Sequence, residues 1–186
     1  MAKVVLYTFA IFKEPNEHEQ NDGFHERNPF VYVSAENAKG FVDRSGNSWK
    51  RNHADRNSNW GTREVSPRFF TGESHRDTAA TLSVWEDVES IYAFCYHGFH
   101  AEVLTHRHEW FVEGEWPAFV AWWTPDDVTP TRTEGAKRLE HLHDHGPTAY
   151  AFDFKGPFDA DGNPLHMDRE KIQERSKIIG SQLRRE

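Results

Sequence analysis

Val4-Val5-Leu6-Tyr7-Thr8-Phe9-Ala10-Ile11-Phe12 is the stretch that decides the fold. Read as a strand, it turns Val4, Leu6, Thr8, Ala10 and Phe12 one way and Val5, Tyr7, Phe9 and Ile11 the other. Both faces are largely apolar, the pattern of a strand covered on both sides. Ala118 to Thr124 repeats it, with Phe119, Ala121 and Trp123 on one face and Ala118, Val120 and Trp122 on the other. Two such strands predict a sheet with something packed against each face.

Working outward, Lys13-Glu14-Pro15-Asn16 ends the first strand. Glu17 to Arg27 is polar and aperiodic, which predicts a loop. Asn28 and Pro29 fit a helix cap and first turn, predicting a helix to about Arg44 that stops at Ser45-Gly46. Ser48 to Arg51 is a short candidate second strand. His53 to Thr78 is long and polar, with Gly61, Pro67 and Gly72, which predicts a lid, a binding loop or a disordered segment, with Phe69-Phe70 as a candidate anchor. Ala80 to Glu86 reads as a strand, and Asp87 caps a short helix to Tyr96. After a break at Gly98, a longer helix is predicted from Phe99 to Glu113. Thr131 to Glu134 is a capping box opening a helix that ends at Gly146-Pro147. Tyr150 to Phe154 alternates like a one-sided edge strand, and Met167 to Arg185 is a charge-rich helix candidate.

This order is an α+β, split βαβ pattern, the ferredoxin-like arrangement. Its helices would lie on one face of the sheet. The other apolar face would then need a second copy of the chain, so the strand pattern predicts a homodimer. Residues 1–158 would form the main domain and 159–186 a polar, helical extension.

Composition narrows the function. The 186 residues contain one cysteine, Cys95, which excludes a disulfide framework and Cys-based zinc or iron–sulfur sites. A net charge of −8 argues against a nucleic-acid partner, because phosphates need a basic surface. The first apolar run is too short for a membrane helix and lacks a cleavage site, which predicts a cytoplasmic protein with no membrane partner. Aromatic residues make up 14% of the chain, which fits either an aromatic core or a pocket for a small, flat hydrophobic ligand.

The candidate chemistry lies in Tyr96-His97-Gly98-Phe99-His100-Ala101-Glu102-Val103-Leu104-Thr105-His106-Arg107-His108. On one continuous helix, His100, Leu104, Arg107 and Phe111 share a face. His100 is then either a structural donor to a carbonyl or a group facing a cavity, and Arg107 either an ion-pair partner or an anion binder. His106 and His108 fall toward solvent. His141 and His145, four apart, have a metal-compatible spacing, but no strict zinc motif surrounds them and no metal is expected. No G-x-S-x-G elbow or phosphate loop is present, and Cys95 reads as a core thiol.

Leu82 to Glu86, Phe94, Tyr96, His100 to Val103, Arg107 and Trp110-Phe111 resemble the DUF3291 family. So do Trp122-Trp123, Pro125, Ala136-Lys137, Leu139 to Leu142 and His145 to Thr148. The resemblance implies the dimeric α/β barrel superfamily, with no general activity assigned to the family. Glu17–Arg27, residues 53–78 and the tail after Phe158 depart from the family pattern. Superfamily relatives include heme-degrading monooxygenases, chlorite dismutases, dye-type peroxidases and cofactor-free quinone-forming monooxygenases. The reading this supports is an enzyme that oxidises or cyclises a small hydrophobic, aromatic or polyketide-like molecule. His100 would move a proton and Arg107 would stabilise negative charge. One alternative is a heme protein with His100 or His106 as axial ligand. Another is a non-catalytic dimeric module that binds a ligand or a partner.

Overall fold

The computed structural model describes residues 2–46 and 60–182. Four strands form one antiparallel sheet: β1 (Ala2–Ile11), β2 (Phe41–Arg44), β3 (Thr78–Trp85) and β4 (Phe119–Pro125), in the spatial order β2-β3-β1-β4. Six helices accompany them among the described residues. They are α1 (Asp22–Asn37), α2 (Val88–Tyr96), α3 (Gly98–Thr105), α4 (Arg107–Trp110), α5 (Arg132–His145) and α6 (Arg169–Gln182).

β1 pairs with β3 on one side, Val4 opposite Trp85, and with β4 on the other, Val5 opposite Trp122. It therefore has neighbours on both edges as well as cover on both faces. Val4, Val5 and Tyr7 are fully buried, and Leu6 and Phe9 nearly so. The Thr8 hydroxyl in its middle is satisfied by a 2.7 Å hydrogen bond with that of Thr81 on β3.

The first face carries Val4, Leu6, Trp85 and Ala121. These pack on Ala35 of α1 and on Val88, Ile91 and Phe94 of α2. The second face carries Val5, Tyr7, Phe9, Leu82 and Trp122, which pack on Leu139 and Leu142 of α5. The expectation of helices on one face only is thus corrected. The chain returns α5 across the second face, and Trp60, Phe69 and Phe70 extend the cover. Contact there is close: a Cβ on Gly135 would meet the Tyr7 ring at 2.6 Å.

Several boundaries differ from expectation. α1 begins at Asp22, so most of the predicted 17–27 loop is helical and Pro29 lies inside the helix. Phe24 fastens that first turn through ring contacts with Phe12, Trp110 and Phe111, a tertiary anchor with no local periodicity. The second strand is Phe41–Arg44, inside the predicted helix; the Ser48–Arg51 candidate lies outside the described residues. Tyr150 to Phe154 reduces to a bridge in which Phe152 exchanges two backbone hydrogen bonds with Ala121. Of the long polar stretch, the described part from Trp60 onward docks on the sheet. Phe69 stacks on Trp116 with ring centroids 5.5 Å apart. Among the described residues no helix is long and apolar enough to cross a membrane.

Gly135→Ala separates helix propensity from packing. Alanine gains about 1 kcal/mol of intrinsic helix preference. Its methyl would drive into the Tyr7 ring, and overpacking of this kind costs about 1–3 kcal/mol. The expected result is a net loss of stability, read as a lower urea midpoint; a raised midpoint would mean that α5 does not press on Tyr7.

Candidate functional site

α2 starts where the Asp87 carboxylate accepts hydrogen bonds from the Ser90 backbone N–H and hydroxyl, at 2.8 and 2.7 Å. Tyr92 and Tyr96, four residues apart, share the outer face of the helix with ring centroids 4.7 Å apart. Phe154 lies edge-on to both. These rings wall a cavity of about 620 Å³ between α2 and the chain leading into α6. Lys155, His166 and Arg169 border it, with Met167 and Ile172 as further apolar lining. Tyr96, 47% exposed, also borders a second cavity of about 490 Å³ that contains Arg107, His108 and Glu113.

His97 sits at the end of α2 and lines the first cavity. Its backbone leaves the helix in an extended conformation, and Gly98 follows with φ of +67°, a turn that favours glycine. The ring folds back so that Nδ1 lies 3.1 Å from the Ala93 carbonyl oxygen. A carbonyl oxygen only accepts, so Nδ1 carries the proton. In the neutral ring Nε2 is then the free lone pair, and it has no hydrogen-bond partner among the described residues. Sequence reasoning passed over His97. The signal was present: a Tyr92/Tyr96 pair at helical spacing, ended by a histidine before a helix-breaking glycine.

His100 and Arg107 are not brought together on one inward face. The predicted 99–113 helix breaks at His106, whose N–H bonds back to Val103 rather than continuing the α-helical pattern. The break rotates the residues beyond it, so Trp110 is buried and Arg107 is exposed at the second cavity. His100 does point inward. Its Nδ1 donates to the Cys95 carbonyl at 3.0 Å, and its ring lies 4.6 Å from that of Phe94. Neither cavity includes it.

The remaining candidates sort similarly. His106 is half-exposed, paired with Glu109 at 2.8 Å and resting on Trp110. A heme would need an axial histidine facing a cavity. Neither His100, against the Phe94 ring, nor His106, beside Glu109, lines either cavity, so these residues do not fit that group. The His141 and His145 rings lie 4.4 Å apart, but among the described residues no set of three metal-ligating side chains exists. Cys95 is buried, which pushes its thiol up to about 12 and makes it a core residue, as expected.

A family model described as "Domain of unknown function (DUF3291)" matches residues 3–168. The chain belongs to the DUF3291 family. No curated protein and no solved structure matches it. The match covers every element of this DUF3291 chain that borders the cavities except α6.

Two measurements check this geometry. Native Cys95 should resist a thiol reagent at neutral pH and react once urea unfolds the chain; rapid native labelling would contradict its burial. Burial pushes the His100 imidazole below its ordinary 6.5, and the Cys95 carbonyl only partly opposes this. The unfolded chain therefore binds this proton more readily. Stability is complete above about pH 6.5 and falls as pH drops from there toward the lowered folded value. His100→Gln should remove that component of the acid loss, seen as a smaller difference between urea midpoints at pH 7.5 and pH 5.

Proposed function

We propose that this DUF3291 chain binds a small, flat, hydrophobic or aromatic molecule in the Tyr92–Tyr96–Phe154 cavity and that His97 removes a proton from it. The observation that carries this reading is the His97 ring. Its orientation and tautomer are set by the Ala93 carbonyl, its Nε2 has no hydrogen-bond partner among the described residues, and the residue lines the same cavity as Tyr92, Tyr96 and Phe154. Proton loss next to a carbonyl or from a phenol is the opening step of both oxidation and ring closure of polyketide-like molecules. An enzyme of that kind therefore stays the preferred reading, with His97 taking the role first given to His100. Arg107, at the adjoining cavity, is available to an anionic part of the substrate.

The strand order β2-β3-β1-β4 supports a ferredoxin-like assignment, since β1–α1–β2 and β3–α2–β4 each step over one intervening strand. A homodimer is still proposed, formed through α1, on which Phe30 and Val33 are 60% and 55% exposed. The second sheet face no longer argues for it, because α5 covers that face. Sedimentation at micromolar concentration should give twice the chain mass; a stable monomer would remove the dimer.

The proton-transfer reading is tested with an aryl 1,3-diketone such as benzoylacetone in D2O, following deuterium entry at its acidic carbon by NMR. The wild-type chain should accelerate exchange. His97→Gln keeps a side-chain donor but has no basic nitrogen, and should lose about 10²-fold of the acceleration while still binding the diketone. Equal exchange by the two proteins would overturn the role of His97. Binding unaffected by Tyr96→Ala would overturn the cavity.

A further inference from the structure

Resting on the cavity reading above, we propose that α6 is the specificity wall of the site and that Arg169 selects ligands carrying a carboxylate beside their aromatic ring. Three observations support this. The first is how α6 is held. Its side chains meet α2 largely through charge: Arg175 lies 2.8 Å from the Asp87 carboxylate, and Lys171 lies 3.2 Å from Asp87 and 3.4 Å from Glu89. Burial would raise the Asp87 carboxyl, but the hydrogen bonds from Ser90 and the two cations hold it below its ordinary range. Lys39 adds an ion pair with Glu174. These contacts place the first turn of α6 along the cavity, so Arg169 and Ile172 become part of its lining.

The second observation is which cations stay free. Lys171 and Arg175 face carboxylates on α2. Arg169, exposed at the cavity, has no ion-pair partner among the described residues, and neither does Lys155 on the chain leaving Phe154. Two carboxylates close to these cations in sequence serve backbone donors. Asp153 accepts from the Lys155 and Gly156 N–H groups, and Asp168 from those of Glu170 and Lys171. No acidic side chain is in the lining of this cavity, in a chain whose net charge is −8. Aromatic walls with two unpaired cations and no lining anion match a planar aromatic carboxylate, the ring against Tyr92 and Tyr96 and the carboxylate toward Arg169.

The third observation is that the family match ends at residue 168, directly before α6. The walls from α2 and Phe154 lie within the family-matched segment, whereas Arg169 lies outside it.

The test uses the full chain and two probes of one shape, 2-naphthoate and the neutral 2-naphthol, titrated at pH 7.5 by tryptophan fluorescence. The wild-type chain should bind naphthoate at least about fivefold more tightly than naphthol, the range of a partly solvated charge-assisted contact. Arg169→Gln should bring the two affinities together by weakening naphthoate alone, and Arg169→Lys should restore part of the preference. Circular dichroism confirms that α6 remains folded in both variants. A preference unchanged in Arg169→Gln, with both probes weakened by Tyr96→Ala, would overturn the role of Arg169 and leave the cavity reading standing. Failure of the wild-type chain to bind either probe would overturn the cavity reading itself.

Discussion

The constraint on which the structure depends is the position of β1. It is hydrogen-bonded on both edges and apolar on both faces, so it needs a neighbour in four directions. β3 and β4 supply the edges, α1 and α2 one face, and α5 with Trp60 the other. On β1 the Thr8 hydroxyl meets that of Thr81, whereas the buried Tyr7 hydroxyl has no hydrogen-bond partner among the described residues. The close passage of Gly135 over Tyr7 belongs to the same constraint. The helix can complete the second layer only by coming near the sheet, and only a residue without Cβ permits that approach.

The site is a by-product of how the first-face layer ends. α2 is packed on the sheet through Val88, Ile91 and Phe94, so Tyr92 and Tyr96 are left on its outer side. The helix stops where Gly98 takes a positive φ, and the stop turns His97 back onto the Ala93 carbonyl beside those rings. One break thus ends the aromatic wall and places His97 on the lining beside it. The second break, at His106, has the opposite effect on Arg107, moving it out of the core and to the neighbouring cavity.

Charge is organised around the same place. The N-terminal end of α2 gathers Asp87 and Glu89, and α6 brings Lys171 and Arg175 to them. An acidic cluster at a helix start is favourable toward the helix dipole, and the cations of α6 neutralise what remains. Glu89 is buried, so its pairing with Lys171 and with the Asp168 N–H avoids an uncompensated charge in the layer. The consequence is a C-terminal helix docked beside the cavity whose first arginine faces the lining rather than a protein carboxylate.

The sequence by itself determined the three long strands, the α2 cap and the α5 capping box, because two-residue alternation and cap chemistry are local and act over a few residues. It also determined DUF3291 membership through motifs spread from Leu82 to Thr148. It marked the segment that carries the candidate chemistry, and within that segment it placed His100 inward. Only the tertiary structure decided what covers the second face, because an apolar strand states that it must be buried and not by what. Only the tertiary structure decided the start of α1, which Phe24 secures through rings distant in sequence. The choice of His97 over His100 was likewise tertiary. Both rings donate Nδ1 to a backbone carbonyl, but His100 lies against the buried Phe94 ring, whereas His97 lines a cavity assembled from segments some sixty residues apart.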